Sequence, residues 1–222
     1  MPYIQWFADN GVSLDALAMT CGTDGFSRDK NNLMSVSLVG GHTGSDIGTV
    51  YIQGANPDVE TIVKGKTVPL YTITGVTPDI YQKYAMPTTK AACVIRDAMQ
   101  DVPFVLVYAE SFMIPWFRTA FADIAEDTVF IDVIKLIKMH ERGISIPRDV
   151  NTVAGLAQRI TVLTSGIPSK GFGMEAVCER YIPGITGDTA DAELTDNPSP
   201  HLECQVHRLW ALWQAVLYMG YL

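Results

Sequence analysis

The stretch Phe104 to Phe121, FVLVYAESFMIPWFRTAF, limits what this chain can become more than any other. Phe104, Val105, Leu106 and Val107 make a short unbroken apolar run, rich in β-branched and aromatic residues, and so predict a buried strand. Phe112, Trp116, Phe117, Ala120 and Phe121 follow at helical spacing. Ser111 is placed to cap that helix, and Pro115 is expected in about its first turn, where a missing N–H costs least. The stretch reads as strand, sharp turn, helix.

On either side the chain offers more of both element types. Residues 12–20 predict a strand with Leu14, Ala16, Ala18 and Thr20 on one face and Ser13, Asp15, Leu17 and Met19 on the other. CGTDGF, residues 21–26, is a Gly-rich turn. Residues 33–39 and 48–52 alternate like two further strands, and the three form an antiparallel meander. Residues 53–66 read as loop. Thr77-Pro78-Asp79 starts a helix, with Thr77 as cap and Pro78 at its first position. Thr88 or Thr89 caps the next one, which buries Ala92, Val94, Ile95 and Met99. Residues 128–132 predict a strand, and Val133 to Arg142 a helix with Lys135 and Lys138 on a polar face and Gly143 as its stop. Asn151 caps a helix, GMEAVCERY is another, and residues 182–200 form an exposed loop. HRLWALWQAVLYMGYL closes the chain as an apolar helix.

Composition bounds the function classes. At 222 residues and 48% hydrophobic content the chain makes one generous domain, residues 1–222, with ample core. A net charge of −8 argues against sequence-independent nucleic-acid binding over a broad surface, which needs Lys and Arg against phosphates. Cys21, Cys93, Cys178 and Cys204 are scattered, so buried reduced thiols and a cytoplasmic setting are expected rather than zinc or disulfides. The start, MPYIQWFADNG, has no basic and apolar leader pattern. The terminal apolar segment is shorter than the roughly 20 residues of a membrane span, so no membrane partner is expected. P-loop, G-x-G-x-x-G and G-x-S-x-G patterns are absent.

The order of these elements resembles the DnaQ-like (DEDD) 3′–5′ exonuclease family. There the first strand ends in Asp-x-Glu-Thr-Thr-Gly; here the corresponding residues are TCGTDG, with Thr20 for the Asp and Gly22 for the Glu. The family's second motif runs from a strand into His-Asn-x-x-Phe-Asp. Ala109 and Glu110 take the first two places, Phe112 matches the Phe, and Met113 stands where the Asp belongs. TGVTP resembles the family's Gly-Ile-Thr segment, and GMEAVCERY its Leu-Cys helix. In the last motif His207 is kept and Leu212 replaces the final Asp. The resemblance implies an α/β, ribonuclease H-like mixed sheet, an antiparallel three-strand meander plus parallel strands, flanked by helices.

The family reaction uses two divalent cations about 4 Å apart to hydrolyse a phosphodiester. Such hard cations want carboxylate oxygens, and none of Thr20, Gly22, Met113 and Leu212 supplies one. No intact catalytic site and no bound metal are therefore expected. The implied function is an exonuclease-like binding or assembly module that has lost catalysis, with single-stranded nucleic acid or a protein as partner. An active 3′–5′ exonuclease using Mg or Mn would need Asp24, Glu110 and Asp132 as substitute ligands, with His207. A third reading is a homo-oligomer built through the last helix with its Trp210 and Trp213. His207 on its own, and the basic Lys135, Lys138, His140 and Arg142, read first as structural or solvated side chains.

Overall fold

The computed structural model describes residues 3–40, 45–63, 65–183 and 200–219. In chain order, α1 (Tyr3–Asp9) precedes β1 (Ala16–Thr23), β2 (Leu33–Gly40) and β3 (Ser45–Tyr51). A small hairpin follows, β4 (Glu60–Val63) and β5 (Lys66–Pro69), then α2 (Tyr71–Thr74), α3 (Pro78–Tyr84) and α4 (Thr88–Met99). β6 (Phe104–Val107) leads into α5 (Glu110–Ala120) and α6 (Ala122–Asp127). β7 (Phe130–Asp132) runs straight into α7 (Val133–Glu141), and α8 (Val153–Thr164), α9 (Met174–Tyr181) and α10 (Pro200–Leu217) complete the chain.

The main sheet has the order β3-β2-β1-β6-β7. β1, β2 and β3 pair antiparallel, while β6 pairs parallel with both β1 and β7. This is the mixed α/β sheet expected, with the meander at one side and the parallel strands at the other. Side-chain alternation splits it into two cores. Ala16, Ala18, Phe104 and Leu106 face one hydrophobic cluster with residues of α1, α7, α8, α9 and α10. Leu17, Met19, Cys21, Val105 and Val107 face a second cluster with α4, α5 and α6. Both faces of the central strands are covered, which is why Phe104–Val107 is an unbroken apolar run rather than an alternating one.

Several local expectations are corrected. β1 begins four residues later than expected and extends through Thr23, because Cys21, Gly22 and Thr23 keep pairing with Val36, Ser35 and Leu33. Residues 13–15 instead close a side-chain turn, the Asp15 N–H donating to Ser13 Oγ at 3.1 Å. β4 and β5 pair as a hairpin that overlaps the loop expected over residues 53–66; its strands have only four residues each, too few to show alternation. α1 was not expected, and seven residues are held helical by burying Tyr3, Trp6 and Phe7 rather than by propensity.

Thr77 caps α3 as predicted, accepting from the Ile80 N–H. The caps on α4 and α8 shift by one residue, to Pro87 and to Thr152, whose hydroxyl accepts from Gly155 N–H. On α4 the buried stripe is Ala91, Ile95 and Met99, while Val94 points outward. α5 begins at Glu110, before Ser111, and Pro115 lies inside it, past the first turn. The expected 182–200 loop falls largely on residues 184–199, outside the described residues, as do residues 41–44 of the meander turn. Cys21 and Cys178 are buried as expected, but Cys93 is exposed. Among the described residues no helix is long and apolar enough to cross a membrane.

Candidate functional site

Parallel pairing between β1 and β6 ends at Ala18 and Leu106. Beyond that point the strands separate, and α5 and α10 reach the gap. The result is a cavity of about 440 Å³ whose lining includes Thr20, Cys21, Tyr108, Phe112, Met113 and Arg208. Thr20 and Met113, two positions marked by sequence, are thus brought to one cavity. Gly22 lies on the same strand in the ladder with Ser35 and is not part of the lining. Leu212 is fully buried in the core cluster under β1, and His207 is exposed.

Sequence reasoning missed Arg208. Its Nε is buried with no hydrogen-bond partner among the described residues, a costly state for a guanidinium donor. The signal was helical spacing. Residues five apart, such as His207 and Leu212, do not share a helix face, whereas Arg208 and Leu212 are four apart and do. Where the resemblance places a carboxylate cluster, the molecule presents a hydroxyl, a thioether and a cation beside the ring of Phe112, with the exposed Glu175 of α9 as the one carboxylate in the lining. Phe26, 71% exposed, lies tilted against Phe112 with ring centres 6.5 Å apart, so aromatic surface continues out of the cavity.

The candidate substitute acids do not gather there. Asp24 is buried, and its carboxylate accepts from the Asn32 N–H at 2.5 Å and the Asn56 N–H at 2.8 Å, tying the loops after β1 and β3 together. Glu110 pairs with the Lys135 ammonium. Asp132 caps α7, accepting from Ile134 N–H at 3.1 Å and from Glu110 N–H at 3.0 Å. That second bond needs the chain to turn sharply out of β6, and Ala109 does so at φ 61°, the one non-glycine with positive φ among the described residues. Among the described residues no three His, Cys, Asp or Glu side chains form a group able to hold a metal ion. The donor set around Thr20 and Met113 does not fit a pair of hard divalent cations.

Asp132 makes a testable pH dependence. Burial pushes its carboxyl up to about 6 from 3.8; the Glu110 charge adds to this, while the two backbone N–H groups and Lys135 oppose it. A carboxyl with a raised folded pKa holds its proton more tightly in the folded state. Its contribution to stability is complete below about pH 4 and is lost as pH rises through about 6. The shift corresponds to about 3 kcal/mol. In urea unfolding, the stability of the native protein minus that of Asp132→Asn should fall by up to this amount between about pH 4 and pH 7. A difference that stays flat over that range would show that burial does not perturb Asp132.

No protein-family model matches the chain, and no curated protein matches it. Solved structures do. The chain is similar to E. coli exonuclease I in complex with a dA16 oligonucleotide, with a TM-score of 0.52 and 14% identity, over 93% of this chain and 42% of that one. The zinc-bound form of the E. coli exonuclease I complex with single-stranded DNA gives a TM-score of 0.51 and 16% identity, over 89% and 39%. The chain therefore spans less than half the length of these neighbours. At such identity the likeness speaks for the fold, and with the five-stranded mixed sheet it establishes that this chain has an exonuclease-like, ribonuclease H-like fold.

Proposed function

We propose that residues 1–222 form a single exonuclease-like domain that has lost its two-metal site and works as a binding module. The observation that carries this reading is the lining of the β1–β6 cavity by Thr20, Met113 and Arg208. Two of these are neutral where the family would have acids, and the third is a cation. The Arg208 guanidinium, its Nε buried, repels divalent cations and attracts phosphate, against the screened opposing charge of the exposed Glu175 in the same lining. Single-stranded nucleic acid is the favoured partner. The solved neighbours are complexes with single-stranded DNA, and Phe26 and Phe112 offer rings on which bases can stack. A protein partner is the other form of the same module. Leu209, Leu212, Trp213 and Val216 of the last helix are buried in the chain's own core, which leaves the partly buried Trp210 and the exposed Tyr218 for the alternative of self-association.

Titration calorimetry with Mn²⁺ tests the loss of the metal site. The expected result is no two-site binding in the micromolar range; two such sites would overturn the proposal. The competing reading, an active exonuclease with relocated acids, has the proximity of Glu110 and Asp132 in its favour. It requires chelator-sensitive digestion of single-stranded DNA that Asp24→Ala or Glu110→Ala abolishes. We expect no digestion with Mg²⁺ or Mn²⁺.

A further inference from the structure

A second cavity, of about 510 Å³, opens between the start of α5, α7 and the end of α8. Lys138 lines it and is the only buried basic residue among the described residues, at 5% exposure. Buried lysines are rare unless an acid accompanies them. This one has no carboxylate within ion-pair distance among the described residues. Its ammonium donates to the Ile167 carbonyl at 3.1 Å and to Ser169 Oγ at 3.0 Å, and lies 5.3 Å from the centre of the Phe172 ring. All three are neutral.

The neighbouring charges are already committed. Lys135 has Glu110, Arg180 has Glu141, and Asp132 is held by two backbone N–H groups. Glu110, Asp132 and Lys135 line the same cavity, so its charged groups are two carboxylates and two ammoniums, of which Lys138 is the ammonium without an ion-pair partner among the described residues. Lys138 and Ser169 both line that cavity and both have donors to spare. An ammonium has three N–H bonds and Lys138 uses two on the protein. Ser169 accepts from Lys138, which leaves its own hydroxyl proton to give. Ser111, exposed at the start of α5, lines the same space.

We propose that this cavity binds a small tetrahedral oxyanion, inorganic phosphate or the phosphate group of a small monoester, with Lys138 as its counter-ion and the Ser169 and Ser111 hydroxyls as further donors. The cavity adjoins the β1–β6 cavity, with Tyr108 and Gly173 lining both, but the proposal does not depend on the nuclease-like reading. Phosphate brings more acceptor oxygens and, near neutral pH, more negative charge to these three donors than a carboxylate does.

The test is calorimetry at low salt with inorganic phosphate, glycerol 3-phosphate and acetate, on the native protein and on Lys138→Met and Ser169→Ala. Saturable phosphate binding is expected, with affinity at least about tenfold weaker in Lys138→Met and several-fold weaker in Ser169→Ala, and with acetate weaker than either phosphate. Tighter binding of glycerol 3-phosphate than of inorganic phosphate assigns the site to monoesters; the reverse order assigns it to the free ion. Methionine keeps the length of the side chain and removes a buried charge, so Lys138→Met should fold. In phosphate-free buffer it should melt no lower than the native protein, and only the native protein should gain melting temperature when phosphate is added. No saturable phosphate binding, or equal binding by Lys138→Met, would overturn the proposal.

Discussion

Trp213→Ala is expected to lower folding stability by about 3–5 kcal/mol. Trp213 is fully buried and meets Phe7 and Phe104 edge-on, at 5.5 Å and 5.6 Å between ring centres. Phe7 and Phe104 also touch each other, at 5.4 Å. Three rings thus clamp α1, β6 and α10, segments from the start, middle and end of the chain. Edge-on aromatic pairs add to burial itself, and alanine removes both. Trp213→Phe should cost much less. It keeps a ring and deletes an indole N–H that has no partner among the described residues. Urea unfolding checks both; a loss below about 1 kcal/mol for the alanine variant would mean that α10 is not part of the core. Because α10 also carries Arg208, the alanine variant should loosen the β1–β6 cavity as well.

Gly40→Ala should be nearly as damaging, at about 3 kcal/mol or more, by summing backbone strain and overpacking. Gly40 has φ 152° and pairs with Leu17 across the β1–β2 ladder. A Cβ there would come 2.3 Å from the Ala16 carbonyl oxygen and 2.9 Å from Leu17 Cα. These are backbone atoms of the central strand, so no rotamer change relieves the clash. β1 would have to move, and Thr20 with it. Gly143→Ala is the control. Gly143 also has positive φ, 62°, but nothing lies within 4 Å of its would-be Cβ. Only the left-handed backbone penalty of roughly 1–2 kcal/mol applies. Equal losses for the two variants would remove the steric argument at Gly40.

Elements that carry their own local signal were readable from the chain. Phe104–Val107 is a strand because four apolar, largely β-branched or aromatic residues leave no other choice, and α3 starts where Thr77 and Pro78 say it does. Elements without such a signal were not. α1 and the β4–β5 hairpin exist because distant residues cover them or because two four-residue strands meet, and neither fact is written in a local window. Cap positions slipped where Pro87, Thr152 and Ala109 took over from neighbouring Thr, Asn and Ser, since a cap depends on the direction in which the preceding chain arrives.

The sequence alone determined the fold class and the chemistry that is missing: Thr20, Gly22, Met113 and Leu212 bear no carboxylate in any conformation. Only the tertiary structure decided what stands there instead. It turned Arg208 rather than His207 into the cavity, buried Leu212, and sent Asp24, Glu110 and Asp132 to separate structural tasks. It also buried Lys138 among neutral partners. The physical reason is the same in each case. The covalent chain fixes which groups exist, but which are desolvated, and which charges face one another, is set by contacts between segments far apart along it.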